Sequence, residues 1–298
     1  MISVFWGISY MAIRLAIDTI PPLLMAGIRF SIAGILLVAW CILRYKSLPA
    51  LSDWRQAAVP GILMFVLGNG NLTWAEQYVP SGLASLIIAM LAVWIVLIDW
   101  LIYKSRRPDI TTGVAIVLGL AGVALLSLSG DEMLLPTEQS GISFLGGILI
   151  LIFASFSWAG GSVYARYIHT NLPILYMIGL QILIGGIVLF AIGTWRGEWQ
   201  EFSLNKITIQ SYFAMFYLVI FASILAYSAY IWLMRVSSPA MVGTYAFFNP
   251  LVAVFLGWLL LKEPLTLQTG LAAALILSSI FIVNRKRRQN KSSLRSVT

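Results

Sequence analysis

Apolar residues occur in ten long runs, and polar residues are concentrated in the short connectors between them. A membrane-spanning helix needs about 20 mainly apolar residues, a length that most of these runs reach. The predicted spans cover residues 1–17, 22–42, 57–76, 80–102, 110–129, 142–165, 173–193, 209–234, 238–261 and 266–284. The pattern predicts an all-α polytopic membrane protein with ten transmembrane helices, followed by a basic tail over 285–298 that we expect to be disordered.

Basic residues are divided unevenly between alternate connectors. With the N-terminus placed in the cytoplasm, eight Lys and Arg residues fall in cytoplasmic connectors and six in the tail, which together are fourteen of the 19. Because Lys and Arg mark the cytoplasmic side of a membrane protein, we predict that both termini are cytoplasmic and that the protein lies in the inner (plasma) membrane. The N-terminal stretch has neither a basic region nor a small-residue cleavage site, so no cleavable signal peptide is predicted.

The composition excludes several classes of protein. The chain is 60% hydrophobic and 10% charged, with a mean hydropathy of +0.92, whereas a soluble domain carries about 25% charged residues. A single cysteine, Cys41, and a single histidine, His169, rule out an internal disulfide and a His/Cys metal cluster. The net charge of +8 follows from membrane topology, so we expect no nucleic acid. The expected partners are lipid and a small-molecule substrate, without cofactor or metal. The oligomeric state stays open, and a monomer is compatible with the sequence.

The chain repeats itself at a nearly constant offset. The aligned pairs are Arg14–Arg166, Pro21–Pro173, Gly27–Gly179, Arg29–Gln181 and Gly34–Gly186 at an offset of 152, and Trp74–Trp232, Trp100–Trp258 and Lys104–Lys262 at 158. Each copy holds five spans, and an odd number inserts the second copy in the opposite sense. We therefore predict two inverted five-helix repeats over 1–134 and 135–284, an arrangement in which transporters bind substrate at the repeat interface.

Several short motifs resemble those of the EamA-type exporters of the drug/metabolite transporter superfamily. They are Phe5-Trp6-Gly7, Arg29-Phe30, the series 80–84, Asn249-Pro250 and the ending 261–266 of span nine. The resemblance covers the whole chain. It implies two inverted five-helix repeats around a central cavity and the export of small metabolites, amino acids or drugs by alternating access. The chain departs from the family pattern in span four, where Ala92 takes the place equivalent to Pro250.

The ninth span, 238–261, contains Asn249-Pro250 near its middle. A proline leaves a carbonyl without its helical partner, and no water can satisfy it inside a membrane. The pattern fits either a kink packed against neighbouring helices or a weakened segment that lines a cavity; we favour the second, with Pro250 as a hinge. The topology places Lys262 and Glu263 at the outer surface, where they would form a helix end or a gate.

Arg29 lies about seven residues, or roughly 10 Å, into the second span. An ionisable residue at such depth is a functional hypothesis by default. Arg29 could attract a substrate carboxylate, pair with Glu76, or extend to the outer headgroups. In the third span Asn69, Thr73 and Glu76 follow at i, i+4 and i+7 and share a helical face, which either lines a cavity or joins helices. Glu76 is the carboxylate best placed for proton coupling or gating.

Further candidates for the cavity are aromatic. Ser223, Tyr227 and Tyr230 share one face of span eight, and Tyr245 shares a face with Asn249 in span nine. Packing between helices and the membrane-interface belt are the alternative roles for aromatic residues of this kind. The remaining candidates are Trp6, Tyr10, Trp94, Trp158 and Gln181.

These observations predict a secondary transporter that exports small amphipathic solutes through a central cavity. An importer or an exchanger would use the same cavity. A membrane-embedded enzyme is the alternative of a different class, but the sequence has neither a G-x-S-x-G nucleophile elbow nor a phosphate loop, and His169 stands alone near a connector. We therefore predict no catalytic residues.

Overall fold

The structure of the chain is a computed structural model, and it describes residues 2–104, 110–127, 144–168, 170, 172–236, 245–263 and 265–295. The side chains at 112, 126–127, 234–236, 245–247 and 283–295 lie outside this description. Within the described ranges the regular structure is helical and strands are absent. The long helices are α1 (Ile2–Ile17), α2 (Pro22–Tyr45), α3 (Leu51–Pro60, continuing through Gly61–Gly70 and Asn71–Ala75), α4 (Ser81–Ile88 and Leu91–Tyr103), α5 (Ile110–Ser127), α6 (Phe144–Tyr167), α7 (Ile174–Trp195), α8 (Ile209–Tyr217, continuing through Leu218–Ala226 and Tyr227–Val236), α9 (Tyr245–Leu261) and α10 (Leu267–Arg295).

Several of these helices are long and apolar enough to cross a membrane. In the described residues five meet both criteria: Pro22–Tyr45, Ser81–Tyr103, Phe144–Tyr167, Ile174–Trp195 and Ile209–Leu233. Shorter apolar helices occupy Ile2–Ile17, Gly113–Leu125, Phe248–Leu261 and Leu267–Ile282. The chain is an all-helical polytopic membrane protein.

Two helix boundaries differ from the sequence-based expectation. α3 begins at Leu51, six residues before the predicted span, because the Asp53 carboxylate accepts a hydrogen bond from the Ala50 backbone N–H at 2.8 Å and stabilises the first turn. α10 continues through Arg295, where we expected a disordered tail from residue 285. Residues 285–295 contain no Gly or Pro, and six of these eleven residues are Lys or Arg, which have good helix propensity.

α2 and α7 pack against each other along their length, and glycines make the contact close. A Cβ at Gly34 would lie 2.6 Å from the Leu183 Cα, and a Cβ at Gly27 would lie 2.6 Å from the Phe190 Cα. Rising numbers in α2 meet falling numbers in α7, so the two helices are antiparallel. The side chains beside these glycines are therefore held at fixed heights in the bundle.

α3 and α8 each contain a widened π-helical segment, Gly61–Gly70 and Leu218–Ala226. The wider winding removes the regular 3.6-residue spacing of faces, and such segments occur often at functional sites. In α8 the Ser223 hydroxyl donates to the Leu218 carbonyl five residues earlier, at 2.9 Å.

The irregular backbone lies in α4 rather than in α9. α9 runs as a helix through Pro250, whereas α4 is interrupted at Ala89 and Met90, where the Met90 N–H donates to the Ile87 carbonyl at 3.1 Å. Pro250 is the sixth residue of this helix, so it removes one backbone N–H donor inside α9, although the helix continues past it. No proline or glycine marks the interruption in α4, so local sequence gave no signal of it.

The bundle has a basic end and an acidic end. α2, α4 and α6 finish at the basic end with Arg44, Lys104 and Arg166, and the Tyr176 hydroxyl at the start of α7 donates to the Ser47 carbonyl there at 2.9 Å. Glu198 and Glu263 lie at the acidic end. The central cavity lies between these ends.

Candidate functional site

Helices α1, α2, α3, α4, α6, α8 and α9 surround a central cavity with a volume of about 70 Å³. Sites for small organic ligands usually measure about 300–1,000 Å³. A solute the size of an amino acid would therefore require the surrounding helices to move apart. The predicted candidates that line this cavity are Trp6, Tyr10, Arg29, Asn69, Trp158, Tyr227 and Asn249.

Arg29 is the charged side chain in the cavity lining, and only 3% of its surface is exposed. Its Nε donates to the Ser223 hydroxyl at 2.9 Å, and its guanidinium carbon lies 4.5 Å from the centre of the Phe30 ring. Its Nη1 is buried without a hydrogen-bond partner in the described part of the chain. Both carboxyl oxygens of Glu76 are likewise unpartnered there, so the alternative of an Arg29–Glu76 ion pair is not what the structure shows.

Two further polar atoms of the cavity lining are buried without partners among the described residues. They are the Trp158 Nε1, a donor, and the Asn249 Oδ1, an acceptor. Buried polar groups are nearly always hydrogen-bonded, and each exception needs an explanation. Together with Arg29, they give the cavity one cationic donor, one neutral donor and one acceptor on apolar walls. This set complements a molecule that has an anionic group and a donor on an apolar body.

One end of the cavity is closed by five aromatic rings, which we call the aromatic partition: Trp6, Phe65, Trp158, Tyr227 and Tyr230. Ring centres are 5.1 Å apart for Trp6–Tyr230, 5.1 Å for Phe65–Tyr227 and 6.2 Å for Trp158–Tyr227. Most of these pairs meet edge to face, the favourable geometry for aromatic contacts. The rings come from α1, α3, α6 and α8, so opening the partition requires these helices to move relative to each other.

Gln181 lies on the far side of the partition and is 3% exposed. Its Oε1 accepts a hydrogen bond from the Tyr227 hydroxyl at 3.0 Å. Gln181 and Tyr230 line a second cavity of about 260 Å³ between α6, α7 and α8, toward the basic end. The structure therefore separates these two candidates from the central cavity and places them at its closed end.

Other predicted candidates lie between helices, away from the lining of the central cavity. Thr73 and Glu76 are fully buried, and the Glu76 backbone carbonyl accepts from the Arg14 Nη1 at 2.7 Å. The Trp94 Nε1 donates to the Ser155 hydroxyl at 2.9 Å, which makes Trp94 a contact between α4 and α6. Tyr245 is the first residue of α9, and its side chain falls outside the described part.

Glu263 joins α9 to the start of α4. Its Oε1 accepts from the Ser81 N–H and hydroxyl, each at 2.7 Å, and its Oε2 accepts from the Gly82 N–H at 2.9 Å. A Cβ at Gly257 would collide with this carboxylate, so glycine leaves the required space. Lys262 ends α9 with a positive φ of 56° and is exposed. This carboxylate therefore caps α4 at the acidic end, well away from the cavity lining.

Sequence reasoning missed a similar role for Glu198. This residue follows α7, and its Oε2 accepts from the Leu24 N–H in the first turn of α2 at 2.8 Å. Burial raises the pKa of Glu198, while the hydrogen bonds from Leu24 and Leu23 act in the opposite direction. A local pattern could not reveal this cap because the two groups are 174 residues apart.

Apolar helices around a buried cavity that carries a few polar groups on apolar walls fit the general class of a membrane transporter. The model of the EamA-like transporter family matches residues 1–128 and 145–285. The chain belongs to this family, within the drug/metabolite transporter superfamily, and the resemblance read from the sequence is confirmed.

Similar proteins come from bacteria and plants. The chain is 39% identical over 284 residues to the "uncharacterized inner membrane transporter YedA" of Escherichia coli K12, covering 94% of this chain and 87% of that one. It is 29% identical to the "uncharacterized transporter YvbV" of Bacillus subtilis 168, covering 97% and 91%. It is 25% identical to a chloroplastic WAT1-related protein of Arabidopsis thaliana, covering 94% and 67%.

One solved chain, titled "Crystal structure of protein", has the same fold. It matches with a TM-score of 0.65 and 18% sequence identity, and the match covers 96% of both chains. At this identity the likeness concerns the fold alone. The family and the names of the relatives indicate a membrane transporter rather than an enzyme, with a small-molecule substrate and membrane lipid as its partners.

Proposed function

We propose that the protein is a secondary transporter that exports small amphipathic metabolites, such as amino acids and related solutes or drugs, by alternating access through the central cavity. The observation that carries this proposal is the buried guanidinium of Arg29 with an unpartnered Nη1 in the described structure. A charge at this depth is costly unless a partner or a ligand compensates it. A carboxylate-bearing solute would supply that partner.

We further propose that all ten helices cross the membrane as two inverted five-helix repeats, with both termini in the cytoplasm. The family model matches the chain twice, which supports two copies. The π-helical segments begin at Gly61 and Leu218, 157 residues apart, close to the sequence offset. Lys104 and Lys262, which align at an offset of 158, both have a positive φ at a helix end, at 52° and 56°.

Alternating access in this scheme requires the aromatic partition to open toward the basic end, which the distribution of Lys and Arg assigns to the cytoplasm. α4 is interrupted at Ala89–Met90, and Pro250 removes one backbone N–H donor from α9, so bending at either point disturbs fewer helical hydrogen bonds than bending at a regular turn. Ile88 and Leu91, beside the interruption, and Asn249, before the proline, line the cavity. Bending at either point would therefore change the shape of the cavity directly.

We propose Glu76 as the group that would couple proton exchange to the release of solute at the acidic end. Its carboxyl group is fully buried and has no hydrogen-bond partner in the described part of the chain. Efflux measured with and without an imposed pH gradient tests this step. A pH gradient that changes efflux in wild type but not in Glu76→Gln supports coupling, and efflux that ignores the gradient contradicts it.

The test of the main proposal is a counterflow screen of small organic solutes in proteoliposomes. Arg29→Ala and Asn249→Ala should each reduce flux about tenfold or more, since each removes a polar group from the cavity. Arg55→Ala is the control, because Arg55 is exposed and lies outside the cavity. Full flux in both cavity variants, with the control also active, would exclude the cavity as the path. Net movement of a solute toward the basic end would instead indicate an importer or an exchanger.

A further inference from the structure

The second cavity, of about 260 Å³, lies between α6, α7 and α8 at the basic end. It is larger than the central cavity of about 70 Å³ and approaches the size of small-ligand sites, which begin at about 300 Å³. Gln181 and Tyr230 form its inner wall, and the same two residues belong to the closed end of the central cavity. The second cavity is therefore the space that a solute reaches immediately before the aromatic partition from this side.

The chemistry of the second cavity suits an anion with an apolar body. Its apolar wall includes Ile174, Met177, Ile178 and Ile231. Arg166 supplies a positive charge, and acidic side chains are absent from the described lining. The Ser162 hydroxyl also lines the cavity; it is 4% exposed and has no hydrogen-bond partner in the described part of the chain.

Three donors follow one another along α6 from the basic end inward. Arg166 and Ser162 line the second cavity, and Trp158, one further turn along, lines the central one. These residues are spaced at i, i+4 and i+8, so they share one face of the helix over about 12 Å. The Ser162 Oγ and the Trp158 Nε1 are both buried and unpartnered in the described structure. Unpartnered donors on a continuous face provide successive positions for an acceptor that moves along α6.

A position at the basic end of a long helix is not enough to place an arginine beside the second cavity, as Arg44 shows. Both Arg44 and Arg166 end a long helix at the basic end, both are exposed, and each lies over the ring of the tyrosine that follows it, at 5.9 Å and 5.7 Å. Arg166 lines the second cavity beside unpartnered Ser162, whereas Arg44 ends α2 away from that lining. Arg44 is thus a matched control for Arg166.

We propose that the second cavity is an entry site for organic anions, in particular carboxylates carried on an apolar body. Arg166 binds the anionic group, and the apolar body packs against the isoleucine and methionine side chains. Ser162 donates the next hydrogen bond to the anion on its way to the aromatic partition. Passage then requires the Tyr227–Gln181 hydrogen bond to open. The direction of passage rests on the proposed export function, but anion binding at this site does not.

The test uses the full-length chain in membrane vesicles of both orientations, with Cys41→Ala to remove the single native thiol. Ser162→Cys is then modified with an anionic reagent, 2-sulfonatoethyl methanethiosulfonate, and a cationic one, 2-trimethylammonioethyl methanethiosulfonate. We expect labelling from the basic end and a higher rate for the anionic reagent. Arg166→Gln should lower the anionic-to-cationic rate ratio about five- to tenfold, the effect of removing one nearby charge across an intermediate dielectric. Arg44→Gln should change it less than about twofold.

A competition measurement identifies the ligand class. 3-Phenylpropionate should slow the labelling of Ser162→Cys, and the uncharged 3-phenylpropanamide should not; Arg166→Gln should abolish the difference. Three results would overturn the proposal: no labelling from the basic end in folded protein, a rate ratio that ignores Arg166, or an equal response to Arg44→Gln. Labelling needs no transport. A protein whose Ser162→Cys variant shows the charge preference, but whose wild type exports no solute, would therefore refute the export function and leave the entry site standing.

Discussion

α2 and α7 hold equivalent positions in the sequence repeat, yet they carry different buried side chains there: Arg29 in α2 and Gln181 in α7. Both side chains bond to α8, Arg29 to Ser223 at 2.9 Å and Gln181 to Tyr227 at 3.0 Å. Arg29 keeps a buried, unpartnered Nη1 in the described structure beside the central cavity, whereas the Gln181 Oε1 is engaged in closing that cavity. We therefore propose that these two positions differ in role: Arg29 binds solute, and Gln181 takes part in the contact that closes the cavity.

The close packing of α2 on α7 sets the distance between these two positions. Gly34 lies against Leu183 and Gly179 against Val38. Gln181 is therefore level with a point about seven residues beyond Arg29 in α2, or about 10 Å along the axis. Arg29 and Gln181 therefore lie on opposite sides of the bundle's middle. Arg29 lines the central cavity, and Gln181 lies at the closed end of that cavity.

The largest effect is expected from making α2 resemble α7 with Arg29→Gln. Flux of carboxylate solutes should fall about tenfold to a hundredfold, since a hydrogen bond to a charged group contributes about 1.5–3 kcal/mol. The folded protein should be no less stable, and its Tm in detergent should stay equal or rise, because a buried, incompletely paired charge is removed. A variant that loses both flux and several degrees of Tm would mean that Arg29 is mainly a structural cation.

Separating α2 from α7 should be the next largest effect. Gly34→Ala places a methyl group 2.6 Å from the Leu183 Cα, and such overpacking costs about 1–3 kcal/mol. Gly113→Ala is the control, because in the described structure its added Cβ meets no atom of another helix within 4 Å. Thermal unfolding of both variants measures the difference. Equal Tm values would show that the two helices are not held at fixed height.

Removing the closing contact should have a smaller effect. Tyr227→Phe leaves the Gln181 Oε1 buried without its hydrogen bond, which costs about 1–2 kcal/mol. The partition should then open more readily, so the leak of small solutes across proteoliposomes should increase while counterflow persists. Tyr212→Phe, at an exposed site on α8, controls for loss of a hydroxyl. An unchanged leak and an unchanged Tm would contradict the role of the Tyr227–Gln181 hydrogen bond in closing the cavity.

The smallest effect concerns the cap on α2. Neither Pro21 before α2 nor Pro173 before α7 caps its helix with its own side chain, but Glu198 accepts a hydrogen bond from the Leu24 N–H in the first turn of α2. Burial raises the Glu198 pKa above its ordinary value of 4.5 in the folded state. Its contribution to stability is therefore fully present below pH 4.5 and declines as the pH rises through the raised folded-state pKa. Glu198→Gln should flatten this part of the Tm-against-pH curve. An identical slope in both proteins would contradict a raised pKa of Glu198.

The sequence was sufficient to predict the helical fold and the exceptional position of Arg29. Other features depend on backbone changes that residue spacing does not reveal. Asn69 and Thr73 were placed on one face by regular α-helical spacing, but Asn69 lies in the π-helical segment and only Asn69 lines the cavity. The widened winding changes the angle between them, so the face could not be predicted.

Long-range contacts and helix ends were also hidden in the sequence. The caps made by Glu198 and Glu263 join groups more than 170 residues apart. Three helix ends at Lys46, Lys104 and Lys262 adopt positive φ, a conformation for which glycine is the usual signal. The local sequence around these three lysines does not predict their positive φ.

The most direct test of the central claim is counterflow of 3-phenylpropionate and 3-phenylpropanamide by wild-type protein and Arg29→Gln, with Arg55→Gln as the control. The claim is that Arg29 binds the anionic group of the transported solute. It predicts that wild type and the control prefer the carboxylate and that Arg29→Gln loses this preference while retaining uptake of the amide. A carboxylate preference that is unchanged in a folded Arg29→Gln variant would contradict it.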